Sequence, residues 1–289
     1  MIRWLAAGCA VLFRWFVFAN IYIAGCAVVM TQTSAHLFGL RLPDGLLPLV
    51  LFGTLGSYSL HWYLTPLPLI PNVPERLRWT NRHRTALLGL LLVAVVLGGW
   101  QLFRLQPYWR DLLPVVVLTF LYTAPKINWQ PFRALRRVAV LKTAYLAAVW
   151  TYVTAVLPLL LAPNAIRSAL LTAWLLNRFL LIYAIALWFD YRDRTDDRQS
   201  PWLTIVSNLT ERQVTRFFGG IVLVFGLTIA MLYSQGLGLT SIICLSVPML
   251  LLVFTARRTT RQSSEYWYYV YLDGLLMLHG ILLAMLKLY

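Results

Sequence analysis

The stretch FDYRDRTDDRQSPWLT, residues 189–204, follows directly on a long apolar run and carries four carboxylates within eight residues: Asp190, Asp193, Asp196 and Asp197. The whole chain holds only 10 Asp and Glu against 25 Lys and Arg. On a helix, the i, i+3, i+7 spacing of Asp190, Asp193 and Asp197 places them within about 60° of one another, while Asp196 points elsewhere. Like charges on one stripe repel, and helix propensity gives Asp no reason to be there. The stripe therefore calls for cations. Mg²⁺ suits it, because that ion takes oxygen ligands, one or two carboxylates at a time, and keeps positions for water and substrate phosphates. The alternative is a charged, solvated helix end in which Arg192, Arg194 and Arg198 pair locally with the aspartates. Lys or Arg would mark a membrane boundary better than Asp does. Ser200–Pro201 begins the following loop.

The surroundings of this stretch are those of a membrane protein. Of 289 residues, 60% are hydrophobic and 12% charged, whereas a soluble domain is nearer 45–50% apolar and about 25% charged. Apolar runs long enough to span a bilayer recur at roughly 10–32, 44–65, 84–104, 110–125, 138–162, 168–189, 216–234, 238–256 and 267–287. The expected fold class is all-α: a polytopic bundle of about nine transmembrane helices in one domain, 1–289. The loops after the second, fourth, sixth and eighth runs are rich in Arg and Lys, and the alternate loops are poor in them. That asymmetry predicts a cytoplasmic N-terminus and an outer C-terminus. The longest hydrophilic stretches, 66–83 and 190–215, both fall on the cytoplasmic side and hint at two similar halves.

The same loop positions explain the net charge of +15. Cations at the membrane surface set topology and meet anionic lipid, so no nucleic-acid partner is expected. Cys9, Cys26 and Cys244 lie in apolar runs without metal or disulfide spacing. The first run is interrupted by Arg14 and continues past Met30, which predicts an uncleaved first helix.

Residues 189–204 resemble the second aspartate-rich motif of the UbiA superfamily of intramembrane prenyltransferases, D-x-x-D-x-x-x-D with a Thr a few residues on. Asp190, Asp193, Asp197 and Thr204 match it, and Phe189 stands where Asn is usual. The stretch 121–158, LYTAPKINWQPFRALRRVAVLKTAYLAAVWTYVTAVLP, resembles the passage from the fourth to the fifth helix of that family. The resemblance implies an isoprenyl diphosphate bound through Mg²⁺, loss of diphosphate, and alkylation of a lipophilic acceptor by the allylic cation. The metal would neutralise charge on the leaving group, and the apolar bundle would keep water from the cation. The family's first aspartate-rich motif belongs at the end of the second helix. Residues 52–66 there read FGTLGSYSLHWYLTP and hold no carboxylate. The chain looks like a divergent member, with Tyr58, Ser59 and His61 at that place. His61 is either a metal ligand, for which imidazole suits Mg²⁺ poorly, or a satisfied interfacial histidine.

Further charges stand inside apolar runs, where ionisable groups mark function or pairing. Lys142, near Arg136 and Arg137, is placed to meet a diphosphate from the cytoplasmic side. Arg178 lies about 18 Å along the helix from Asp190, on the cavity or acceptor side, or else in an ion pair with Asp273. The aromatic run Tyr266–Tyr271 reads as an interfacial belt or as ring faces for a cation.

Three functions compete. The first is an Mg²⁺-dependent transferase moving an isoprenyl group from a prenyl diphosphate to a lipophilic acceptor, in the bacterial inner membrane with its site loops cytoplasmic. The second is a non-catalytic UbiA-like protein that binds isoprenoid or lipid. The third is a small transporter, suggested by buried charge and weak two-fold organisation.

Overall fold

In a computed structural model, the described residues are 2–65, 73–124, 142–162, 168–198, 205–259 and 263–287. Among them the chain is helix and connecting turn, with no strand. The helices are α1 (Ile2–Phe18), α2 (Ile21–Leu37), α3 (Leu46–Tyr63), the short α4 (Glu75–Arg82), α5 (Arg84–Arg104), α6 (Trp109–Thr123), α7 (Lys142–Leu161), α8 (Ser168–Arg198), α9 (Glu211–Ser234), α10 (Leu239–Ala256) and α11 (a π-helical turn Trp267–Leu272 continuing as Asp273–Lys287).

Six of these, α5 and α7 to α11, are long and apolar enough to cross a membrane, and a bent α1–α2 pair makes seven. The chain is an integral membrane protein. Two expected spans fall short of that measure for readable reasons. The second half of α3 is polar, with Ser57, Tyr58, Ser59 and His61, and α6 has 15 residues where a span needs about 20.

The first expected span, 10–32, is not one helix. The chain bends by 61° between Phe18 and Ile21. Asn20 sits there at φ 67°, in the left-handed region that Asn tolerates better than most residues. The sequence pattern stayed apolar across the break, so periodicity gave no warning of it.

α2 runs through the centre of the bundle, packed against α3, α7 and α11. Two of those neighbours carry a π-helical turn, which frees a carbonyl from the regular ladder. α2 uses both. Ser34 Oγ donates to the Thr154 carbonyl at 2.6 Å, inside the α7 turn Tyr152–Val156. Tyr22 OH donates to the Val270 carbonyl at 2.9 Å, inside the α11 turn. The link between α9 and α10 is a helix stop at Gly236, φ 95°, with Leu237 N–H donating to the Leu232 carbonyl.

Candidate functional site

α8 reaches the site because it is long and mixed. Its apolar body ends in the aspartate stripe, and residues 182, 185, 186, 189, 190 and 193 lie on one face at helical spacing. That face lines a cavity of about 720 Å³, shared with α3, α5, α6, α7 and α11. Most of the wall is apolar, and the charged groups gather at one end.

At that end Asp190 accepts a hydrogen bond from Thr143 Oγ1, beside Lys142 at the start of α7. Asp193 is held by Arg192 in a two-pronged pair, Nε to Oδ1 at 2.6 Å and Nη2 to Oδ2 at 3.2 Å. Arg192 Nη2 also donates to Tyr269 OH at 3.3 Å. The local pairing expected for the stripe is therefore present at Asp193, while both carboxylates still face the cavity. Asp197 lies on α8 with its side chain outside the described set, and Thr204, Arg136 and Arg137 lie outside the described residues.

Arg76, on α4, was not marked by the sequence and completes the polar end. Its guanidinium sits in the corner made by the rings of Trp62 and Tyr269, which stand at 77° to each other, 4.2 and 4.0 Å from their centroids. Nη2 donates to Asn20 Oδ1 at 2.5 Å, so the bend between α1 and α2 is what delivers this contact. The Arg76 backbone N–H donates to Glu265 Oε2 at 2.8 Å. Among the described residues, the buried Nε has no hydrogen-bond partner. Burial pulls the Arg76 pKa below its ordinary value, against the raising effects of Tyr269 and Asp273. A basic residue in a polar loop is unremarkable in sequence. The signal beside it in the sequence is the proline-rich stretch 66–74, which separates Trp62 from Arg76.

The α3 residues divide. Tyr58 and His61 line the cavity. Tyr58 OH accepts from Trp150 Nε1 at 3.2 Å, and the His61 ring stacks on Tyr122 at 5.4 Å. Ser59 is buried behind them, accepting from Asn20 Nδ2 at 3.3 Å, and supports the site without facing it. Asp273 lines the cavity wall on α11. Arg178 does not: it is fully buried, stacked on Trp174 at 4.2 Å, with Nη1 3.4 Å from His279 Nδ1. Both expectations for Arg178 are corrected, since it neither lines the cavity nor pairs with Asp273. Side-chain direction decides this, because Asp273 and His279 lie about 9 Å apart along α11. The aromatic run is also divided. Tyr268 and Tyr269 turn inward onto Arg192, 4.6 and 5.2 Å from its guanidinium, so these two are not an interfacial belt.

No three of His, Cys, Asp and Glu come together as a metal cage among the described residues. Asp190 and Asp193 alone fit a hard cation that keeps most of its ligands as water and phosphate oxygen. Lys142, Arg76 and Arg192 balance Asp190, Asp193 and Asp273 in charge, so an arriving polyanion would bring charge that these groups do not offset.

No protein-family model and no curated protein matches the chain. Among solved structures it is similar to a UbiA homolog from Archaeoglobus fulgidus bound to DMAPP and Mg²⁺, with a TM-score of 0.54 and 12% identity over 94% of this chain and 100% of the other. At that identity the likeness is one of architecture, and the chain has the all-helical, UbiA-like membrane fold.

Proposed function

We propose that this protein is an integral-membrane transferase that moves an isoprenyl group from a prenyl diphosphate to a lipophilic acceptor. The observation that carries the reading is the division of one cavity into a charged end and an apolar body. A prenyl diphosphate has the same division. The UbiA homolog with this architecture is bound to DMAPP and Mg²⁺.

Asp190 and Asp193 are the residues to hold Mg²⁺, which when bound would offset the charge of the diphosphate and of the leaving group. Lys142, Arg192 and the free Nε of Arg76 bind phosphate oxygens as charge-assisted donors. Arg192 gives up Asp193 in doing so, which frees that carboxylate. Arg136, Arg137 and Asp197 join this set on the sequence motif. Asp273 and Tyr58 stand on the wall toward the acceptor, and the apolar body excludes water. The arginine-rich loops put the charged end on the cytoplasmic side of a bacterial inner membrane.

The test is binding and turnover of a prenyl diphosphate by the protein in nanodiscs, with and without Mg²⁺. Asp193→Asn and Asp190→Asn should each lower Mg²⁺-dependent binding by about tenfold or more and abolish diphosphate release. Release by both variants at the unmodified rate would sink the proposal. Binding without any release would instead favour a lipid-binding role. The missing carboxylate on α3 and the existing Arg192–Asp193 pair are the observations that keep that second reading in play.

A further inference from the structure

We infer that the acceptor is an uncharged hydroxyl compound and that Asp273 selects it, holding the hydroxyl and turning acids away. This rests on the reading of the charged end given above and adds the chemical class of the second substrate.

Asp273 stands at the step from the charged end to the apolar body. Tyr269, Asp273 and Leu276 line the cavity from α11, and that spacing is one helical face. Tyr269 meets the guanidinium groups of Arg76 and Arg192, while Leu276 belongs to the apolar core. Asp273 lies four residues beyond Tyr269, about 6 Å deeper along the helix. A group that attacks the carbon bearing the diphosphate must stand at this level, directly inside the charged end.

α2 fixes the direction of the side chain. Tyr22 OH donates to the Val270 carbonyl at 2.9 Å, and Cys26 Sγ donates to the Asp273 carbonyl at 3.5 Å. The seam between α2 and α11 is tight behind Asp273. A Cβ at Gly274 would collide with Tyr22 OH, and one at Gly280 with Thr33 Oγ1 and Val29 Cγ1. The cavity is the open side left to the half-buried Asp273.

The carboxylate there is uncommitted. Asp190 accepts from Thr143, and Asp193 is held by Arg192. Among the described residues, the Asp273 carboxylate has no ion pair within 4 Å and no hydrogen bond. It does not come together with Asp190 and Asp193 as a metal cage. Arg76 and Arg192 act on it only from beyond ion-pair distance. A carboxylate in a largely apolar wall calls for a donor, and the ligand is what remains to bring one.

Tyr58 narrows the ligand further. It lines the same cavity within electrostatic reach of Asp273. Its hydroxyl accepts from Trp150 Nε1 at 3.2 Å, which leaves its own proton to donate. A hydroxyl on the acceptor satisfies both residues at once, donating to Asp273 and accepting from Tyr58. An ammonium has no lone pair for Tyr58. A carboxylate would face Asp273 as a like charge, which is how a site rejects a competitor. Among the described residues, Arg76, Lys142 and Arg192 are the only Lys and Arg side chains lining the cavity. All three serve the diphosphate, so none is left to neutralise an acidic acceptor.

The experiment measures binding of 4-hydroxybenzoate and of its methyl ester to the protein in nanodiscs, with Mg²⁺ and uncleavable geranyl thiolodiphosphate present and the uptake of empty nanodiscs subtracted. The two probes share a phenol and differ by one charge. The unmodified protein should bind the ester about tenfold or more tightly than the acid, the size of one charge-assisted contact. Asp273→Asn keeps the shape, removes the charge and should bring that ratio to roughly one. Tyr58→Phe should weaken both probes by about fivefold and keep the ratio. Asp44→Asn, exposed and outside this cavity, should change neither. A ratio near one in the unmodified protein, or an unchanged ratio in Asp273→Asn, overturns the inference. Should Asp273→Asn fold poorly, the ratio in the unmodified protein decides alone. Failure of the ester to bind while the thiolodiphosphate binds overturns the inference and leaves the charged-end reading standing. Failure of the thiolodiphosphate to bind overturns both.

Discussion

Arg76 and Arg178 are both buried, and each guanidinium lies 4.2 Å from a tryptophan ring, Trp62 for the first and Trp174 for the second. Beyond that they differ. Arg76 has a second ring 4.0 Å away, an amide oxygen at 2.5 Å and a cavity beside it. Arg178 has only the His279 ring at 3.4 Å, and its Nε and Nη2 find no partner among the described residues. The same side chain is thus held ready in one place and enclosed in the other. Burial of a charge does not by itself mark a site; burial beside open, polar space does.

The largest expected effect breaks or keeps this contrast. Arg76→Met should weaken binding of a prenyl diphosphate roughly tenfold or more, the size of a lost charge-assisted hydrogen bond of about 1.5–3 kcal/mol. Arg178→Met should leave that binding alone. It should also leave stability equal or raise it by about 1 kcal/mol or more, because a buried charge without an ionic partner is removed and its volume is kept. Binding isotherms and thermal unfolding on the same two preparations give both readings. Loss of binding in Arg178→Met with none in Arg76→Met would reverse the assignment.

How far the sequence reached follows from where each group stands. The apolar runs and the turn of Asp190 and Asp193 toward one side were legible, because hydropathy and the 3.6-residue period are local. Arg178 attracted notice for standing in an apolar run, and Arg76 escaped notice for standing in a polar loop. Neither judgement used the quantity that matters, which is what lies across from the side chain. The bend at Asn20 was hidden for a related reason: an αL residue leaves no trace in an apolar pattern. The inward turn of Tyr268 and Tyr269 depends on the π-helical turn, which shifts the register of the face and has no reliable sequence mark.

A smaller effect sharpens the role of the shared ring. Tyr269 lies under Arg76 and its hydroxyl accepts from Arg192 Nη2, so its ring and its hydroxyl do separable work. Tyr269→Phe keeps the ring face and loses one hydrogen bond, a cost of about 1 kcal/mol. Tyr269→Leu also removes the ring face, and cation–π contact with a desolvated guanidinium adds about 2 kcal/mol. The ordering Phe above Leu, read from prenyl diphosphate affinity, is expected. Equal losses would mean that the hydroxyl alone matters and that the ring contact with Arg76 does not.

The smallest effect concerns Asn20, which joins backbone shape to the site. Its φ of 67° bends the chain, its Oδ1 accepts from Arg76 and its Nδ2 donates to Ser59. Asn20→Gly keeps the backbone freedom and removes both side-chain bonds, whereas Asn20→Ala removes the same bonds and adds the left-handed penalty of about 1–2 kcal/mol. Both variants should bind prenyl diphosphate with the same modest loss, since Arg76 retains its aromatic contacts in each. Only the alanine variant should show the additional drop in thermal stability. If Ala and Gly unfold alike, the bend is imposed by the packing of α1 against α4 and not by the residue at the bend. If Gly binds as well as the unmodified protein, Trp62 and Tyr269 suffice to position Arg76, and the contrast with Arg178 reduces to the second ring.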